Sequence, residues 1–290
     1  MQEREDDLRA LGLKIKQHED KLKLLKNKIT KFDDNFDMIK NRQSSTSSAP
    51  KISEGESSHP NTEADIDEQI LLHHANSAAG ILCQMKTRHE AQAFKMPMLE
   101  DVVGVVATLA NVQNDHLSTL LSEYLGVETM LAIVCKTNFG VGVLEIHNED
   151  GSINKGFGLH GLGAAIGSAL HDRFLVISLE SLRPYPGKFV LDDPQRQLNI
   201  LNPRLPNGQC PPGFLGFAVN MIKIDASNLF CVTPSGYGLR ETLFYNLFSR
   251  LQVYRTRTEM MKALPLIIDG AVSLDGGIIR SDGVFYLGNR

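Results

Sequence analysis

Residues 266–288 read LIIDGAVSLDGGIIRSDGVFYLG, and the fold turns on how this stretch is understood. An apolar run, Leu266-Ile267-Ile268, enters Asp269-Gly270; a second, Val272 to Leu274, enters Asp275-Gly276-Gly277; a third, Ile278-Ile279, enters Asp282-Gly283 ahead of Val284-Phe285-Tyr286. Asp-Gly pairs between β-branched runs signal hairpins, because glycine takes the positive φ that tight primed turns demand. The expectation is a meander of short strands closing an α/β domain. What the glycines serve depends on the residues that precede them.

Working outward, 290 residues with 42% hydrophobic content suffice for a sizeable core. The apolar residues are unevenly spread, which implies one globular unit with an appendage. A formal net charge of −4 exerts no global pull toward nucleic acid. Cys83, Cys135, Cys210 and Cys231 are widely spaced, with neither a CxxC pair nor a Cys/His ligand spacing, so no disulfide framework or zinc site is indicated. The charged start MQEREDDLRA is unlike a signal peptide, and no run reaches the roughly 18 apolar residues of a membrane span. A soluble intracellular protein without membrane attachment is expected.

Leu8, Ile15, Leu22, Ile29 and Phe36 recur every seven residues, and Leu11, Leu25, Phe32 and Ile39 fill the other seam position. With Lys14, Glu19, Lys21, Lys26, Lys28 and Asp33 bordering it, the heptad predicts a coiled coil over 1–41, roughly 45–50 Å long. Residues 42–64 are rich in Ser with scattered Pro and Gly and form a flexible linker, because they bury too little apolar surface to offset ordering. A helix over 65–96 follows, its apolar side traced by Ile66, Ile70, Ala75, Ala78, Ile81, Leu82 and Met85. His73 and His74 sit about 100° apart on that helix and do not converge on one ion.

Beyond Pro97 strands and helices alternate: strand 102–106, helix 115–125, strand 130–135, a glycine-rich segment opening a helix over 164–171, and strand 174–179. Pro-rich residues 184–212 connect this first half (97–183) to a second (213–290). The second runs through a strand-rich run over 214–224, then Leu229-Phe230-Cys231-Val232, helix 239–248, strand 251–254, helix 258–263 and the opening stretch. An α/β (α+β) domain of two similar subdomains is the expected class.

Chemical motifs are sparse. Gly156, Gly158 and Gly161 match G-x-G-x-x-G, but a polar turn precedes them instead of a buried strand, and no acidic ribose partner follows at the right distance. Close approach of a helix or of a second subunit explains these glycines better. There is no GxxxxGK[ST] loop, Thr233 stands where a nucleophile elbow needs glycine, and Tyr185 and Lys188 are too close for a Tyr-x-x-x-Lys relay. No enzyme constellation, metal site or cofactor is expected.

The globular part, about residues 99–288, resembles the flexible hinge domain of SMC (structural maintenance of chromosomes) proteins. Val103-Gly104-Val105-Val106, Tyr124-Leu125-Gly126, Leu131-Ala132-Ile133-Val134, Gly213 to Ala218, Leu251 to Tyr254, and above all Val272-Ser273-Leu274-Asp275-Gly276-Gly277 with Gly283 and Gly288 carry the likeness. The runs 205–222 and 237–254, with the coil at 15–20, are similar to the plant hinge-only SMC-like group typified by Defective in Meristem Silencing.

The resemblance implies a nuclear, non-enzymatic adaptor of RNA-directed DNA methylation and gene silencing. Such an adaptor forms homodimers through the hinge, bridges a SNF2-type chromatin remodeller and a small methylated-DNA-associated protein, and supports RNA polymerase V. It also implies dimerisation at Leu274, Asp275, Gly276, Gly277, Gly283 and Gly288. Hinges of this kind lie between two coil segments, whereas this sequence ends at Arg290, so the expectation is a coil that pairs with another chain or a truncated or divergent member. Two other classes stay open. Arg240, Arg250, Arg255, Arg257 and Lys262 cluster in sequence as a candidate DNA-contacting group, as in a hinge acting in DNA repair or chromosome organisation; a nucleotide-cofactor enzyme is the third.

Overall fold

A computed structural model describes residues 63–88, 99–281, 283–286 and 288. The coiled-coil seam and the Ser-rich linker of the sequence analysis lie outside the described residues.

The helix expected over 65–96 is two helices, α1 (Glu63–His74) and α2 (Ala78–Arg88). Ser77 causes the break: its hydroxyl donates to the carbonyl of His74 and accepts from the N–H of Gly80, ending one helix and capping the next. Strands β1 (Val102–Val105) and β2 (Ala110–Asn111) follow, then α3 (Asp115–Leu125), which Asn114 caps by accepting from the Leu117 N–H at 2.9 Å. Next come β3 (Ile133–Cys135), α4 (Asn138–Leu144), α5 (Gly158–Ala165) and β4 (Val176–Ser178). Helix α5 forms from the glycines themselves and ends where a helix over 164–171 was expected to begin. An added Cβ would stand 2.3 Å from the Leu144 carbonyl of α4 at Gly158, and 2.8 Å from Ile81 Cδ1 of α2 at Gly163.

The second half repeats the plan. The strand-rich run 214–224 holds two strands, β5 (Phe214–Phe217) and β6 (Lys223–Ile224), with a helical turn (Ala218–Met221) between them. A π-helical turn (Arg240–Phe244) runs into an α turn (Tyr245–Phe248), followed by β7 (Gln252–Tyr254), α6 (Arg257–Lys262), β8 (Gly270–Ser273), β9 (Ile278–Arg280) and β10 (Phe285–Tyr286). In each half a bulged strand pairs antiparallel with a buried one: β1 with β3, and β5 with β7. The buried strand then pairs parallel, across a helical crossover, with the next: β3 with β4, and β7 with β8. Thr137 and Thr256 each stand two residues past the buried strand and cap the helix after it. The likeness of the halves therefore extends to individual capping residues.

The halves share one core. Val106, Leu117, Leu121 and Val134 of the first pack in a single cluster with Leu198, Phe217, Leu243, Val253 and Val272. Across that core β2 pairs antiparallel with β6, Ala110 opposite Ile224 and Asn111 opposite Lys223. Residues 184–212, read from sequence as a connection, are built into this seam. Phe189 bridges Leu198, which is only 1% exposed, and Asn220 binds both the N–H and the carbonyl of Leu198.

Arg240 pins them there. Its guanidinium is 1% exposed and donates to the Gln195 carbonyl at 2.8 Å, to Gln195 Oε1 and the Ile222 carbonyl at 3.0 Å each, and to the Val219 carbonyl. Gln195 in turn exchanges two side-chain bonds with the backbone of Ile224 in β6. Burial pulls the Arg240 pKa down to about 10, against the opposing pull of Asp193 and Glu241, so it is charged at neutral pH. Replacing it with Met takes that donor from the carbonyls of Gln195, Val219 and Ile222. Arg240→Met is expected to lose on the order of 3–5 kcal/mol in urea denaturation, with Arg240→Lys recovering less than half, since an ammonium cannot span a planar fork.

Candidate interface

The candidate site lies at the C-terminal end of the five-stranded sheet, whose order is β10-β9-β8-β7-β5. The first Asp-Gly pair does not make the hairpin turn expected of it. Residues 264–266 are a 3-10 turn, and Gly270 opens β8. The second pair does: Ser273 and Gly277 close the β8–β9 hairpin, with Ser273 N–H on the Gly277 carbonyl and Gly276 N–H on the Ser273 carbonyl, both 2.8 Å. The third turns β9 into β10 through the Gly283 N–H on the Arg280 carbonyl at 3.1 Å.

Within the six residues expected to join two copies, the roles differ. Asp275 accepts the Arg257 N–H on both carboxylate oxygens at 2.8 and 2.9 Å, while Arg257 Nη2 donates back to the Asp275 carbonyl at 3.0 Å. The carboxylate thus sits on the first turn of α6, where an exposed amide and the helix dipole favour negative charge. Burial pushes the Asp275 pKa up, but the Arg257 N–H, Ser273 and the Arg257 charge outweigh it and hold the carboxyl below its usual range. Leu274 packs partly buried against the main core.

Gly276 adopts φ +94 with room beside it. Gly277 is closed in by its own chain, and a Cβ there would stand 2.6 Å from Ser273 Oγ and 2.9 Å from Arg257 Cγ and Met260 Cε. Among the described residues, a Cβ at Gly283 or Gly288 would meet no neighbour. The glycines of the β8–β9 turn therefore fit that turn onto α6. Besides Ile268, the exposed apolar side chains of the stretch are on β10 and its approach, where Val284, Phe285 and Tyr286 are 44%, 40% and 44% exposed. β10 pairs with β9 on one side, Phe285 opposite Ile279 and Tyr286 opposite Ile278, and its other edge meets no described strand.

The basic cluster is dispersed. Arg240 is a core residue, its donors taken up as above, and presents nothing to a phosphate. Arg250 is half exposed and paired with Asp269 at 3.0 Å, and Arg257 is turned onto Asp275. Arg255 and Lys262 are exposed. Sequence spacing brought these cations together, and burial separates them. Sequence reading missed Gln195 and Glu241. Glu241 is fully buried, its Oε1 accepting from Arg196 and from the Gly238 N–H, both at 2.6 Å. The adjacent Arg240-Glu241 charges inside an apolar helix pattern are the signal that could have marked a buried polar hub.

Among the described residues no three His, Cys, Asp or Glu side chains are placed to hold a metal ion, and no helix is long and apolar enough to cross a membrane. No protein-family model matches the chain. The Arabidopsis thaliana protein named structural maintenance of chromosomes flexible hinge domain-containing protein GMI1 is 41% identical over 229 residues, 78% of this chain. The chain belongs with the SMC flexible-hinge proteins. It spans 14% of the length of that relative. The Geobacillus stearothermophilus SMC hinge domain, solved as an asymmetric dimer, matches at 14% identity over 75% of this chain and 66% of its own, with a TM-score of 0.42. The Pyrococcus furiosus SMC hinge domain matches at 13% identity over 77% of this chain and 89% of its own, with a TM-score of 0.37.

Two substitutions separate turn chemistry from edge chemistry. Gly277→Val is expected to lower the melting temperature by several degrees more than Gly276→Ala, because the first collides and the second only strains the backbone, about 1 kcal/mol. Asp275→Asn tests the cap. A carboxyl whose folded pKa is depressed contributes stability above its unfolded pKa and loses it as pH falls through the folded value. Wild type should therefore lose stability more steeply than Asp275→Asn between about pH 5 and pH 2, read by urea titration across that range, and parallel pH profiles would contradict the assignment.

Proposed function

We propose that this chain is a non-enzymatic hinge that pairs with a second copy through the β10 edge and serves in the nucleus as a chromatin adaptor. The observation that carries the reading is an open strand edge, flanked by exposed Val284, Phe285 and Tyr286, in a chain of the SMC flexible-hinge family. An unpaired edge presents a row of backbone donors and acceptors, and a second strand satisfies them while covering apolar side chains. Adaptor work in RNA-directed DNA methylation follows from the likeness of residues 205–222 and 237–254 to the plant hinge-only group. In that role the dimer bridges a SNF2-type remodeller and a small methylated-DNA-associated protein and supports RNA polymerase V.

Direct contact with DNA is a second reading, favoured by the exposed Arg255 just before α6 and Lys262 at its end. It predicts an affinity that falls steeply with salt and weakens in an Arg255→Ala, Lys262→Ala double variant.

The primary reading is tested in two steps. Light scattering should give twice the chain mass for wild type and the single mass for Phe285→Asp with Tyr286→Asp. Tagged wild-type chain recovered from plant nuclei should bring down remodeller and polymerase V subunits. A wild-type monomer would overturn the pairing, and a nuclear eluate without those subunits would overturn the adaptor role.

A further inference from the structure

Strand β10 has only two residues in register with β9, and the three side chains along it and its approach are each about two-fifths exposed. Two paired residues at a sheet edge do not stay in place on backbone bonds alone. Something else must hold them.

Arg280, the last residue of β9, occupies the position that does so. Its guanidinium carbon lies 5.1 Å from the ring centre of Tyr124 and 5.4 Å from that of Tyr286. Its Nε is buried and makes no hydrogen bond among the described residues. A buried donor left unmatched is costly, and the π-faces on two sides supply the attraction that offsets it. Register explains how the three groups meet. Tyr286 stands opposite Ile278, two residues before Arg280, so all three strand residues project to one face of the sheet. Ile278 joins the main core on that face, beside Leu120, Leu121 and the partly buried Tyr124 of α3. Tyr124 is further tied to the second half by its ring against Phe248, 6.4 Å between centroids at 29°.

We propose that Arg280 is the positioning residue of the pairing edge: by stacking between Tyr124 and Tyr286 it fixes β10 to the sheet and couples that edge to helix α3 of the first half. The assignment rests on the dimer reading for its consequence but not for its geometry. Planar stacking, more than charge, is what the site requires, so lysine does not replace arginine here.

The test is backbone amide exchange by NMR at a concentration where light scattering gives the single-chain mass, so that no partner strand protects the edge. Wild type is compared with Arg280→Lys, Tyr286→Phe and Tyr286→Leu; the last two act at an exposed side chain and leave the core intact. Arg280→Lys and Tyr286→Leu should exchange about ten-fold faster at the amides from Arg280 to Tyr286, with Val253 and Val272 unchanged and Tyr286→Phe close to wild type. Unchanged exchange at the edge in Arg280→Lys, or equal acceleration across the whole sheet, would overturn the proposal. Mass measured at high concentration separates the two claims. A wild-type chain that stays single removes the dimer reading while the exchange result still decides the role of Arg280.

Discussion

A buried guanidinium is the constraint on which this fold depends. Arg240 is charged, almost wholly excluded from water and surrounded by three backbone carbonyls and one side-chain carbonyl. The four acceptors come from three pieces of the seam, with Arg240 itself on a fourth: two from Gln195 in the central connection, one from Val219 in the turn after β5, one from Ile222 on the approach to β6. Burying such a charge is tolerable only when its donors are matched, so the four segments are held to one arrangement. Glu241 beside it holds Arg196 in the same way, and Arg196 lies over the ring of Phe189, 4.9 Å from its centre.

The seam is what makes two similar halves one body. Bonds pass from Arg240 to Gln195, from Gln195 to Ile224, and from Ile224 across the ladder to Ala110 of the first half. Helix α3 of the first half rests on the second half's sheet through Leu120, Leu121 and Tyr124, and the edge strand is reached through Tyr124 and Arg280. A hinge that is to bear a partner on one edge needs this continuity, since a loose joint between halves would dissipate any load placed on it. The β8–β9 turn, with Asp275 on the end of α6, secures the same sheet from its far side.

Much of this was legible in the residues. Buried strands such as Ile133–Cys135 and Gln252–Tyr254 stand out because their apolar side chains have nowhere else to go, and the Asp275-Gly276-Gly277 turn announces itself through glycine's freedom. Boundaries failed where one hydroxyl or one tight approach overrides periodicity, as at Ser77 between α1 and α2 and at the glycines that become α5. The role of residues 184–212 was hidden for a different reason. Polar side chains such as Gln195 look like solvent-facing loop residues until their partners, tens of positions away, are known. The basic cluster misled in the opposite sense, because sequence proximity says nothing of which cations are turned inward.

The central claim is that the two halves form one cooperative unit locked at this seam. Native-state amide exchange at Val134 in the first half and Val253 in the second tests it most directly, since both lie in buried strands of different sheets within one core. The account predicts the same opening free energy at both amides, lowered equally by Arg240→Met. A first half that opens at a distinctly lower free energy than the second, or an Arg240→Met effect confined to one of them, would contradict it.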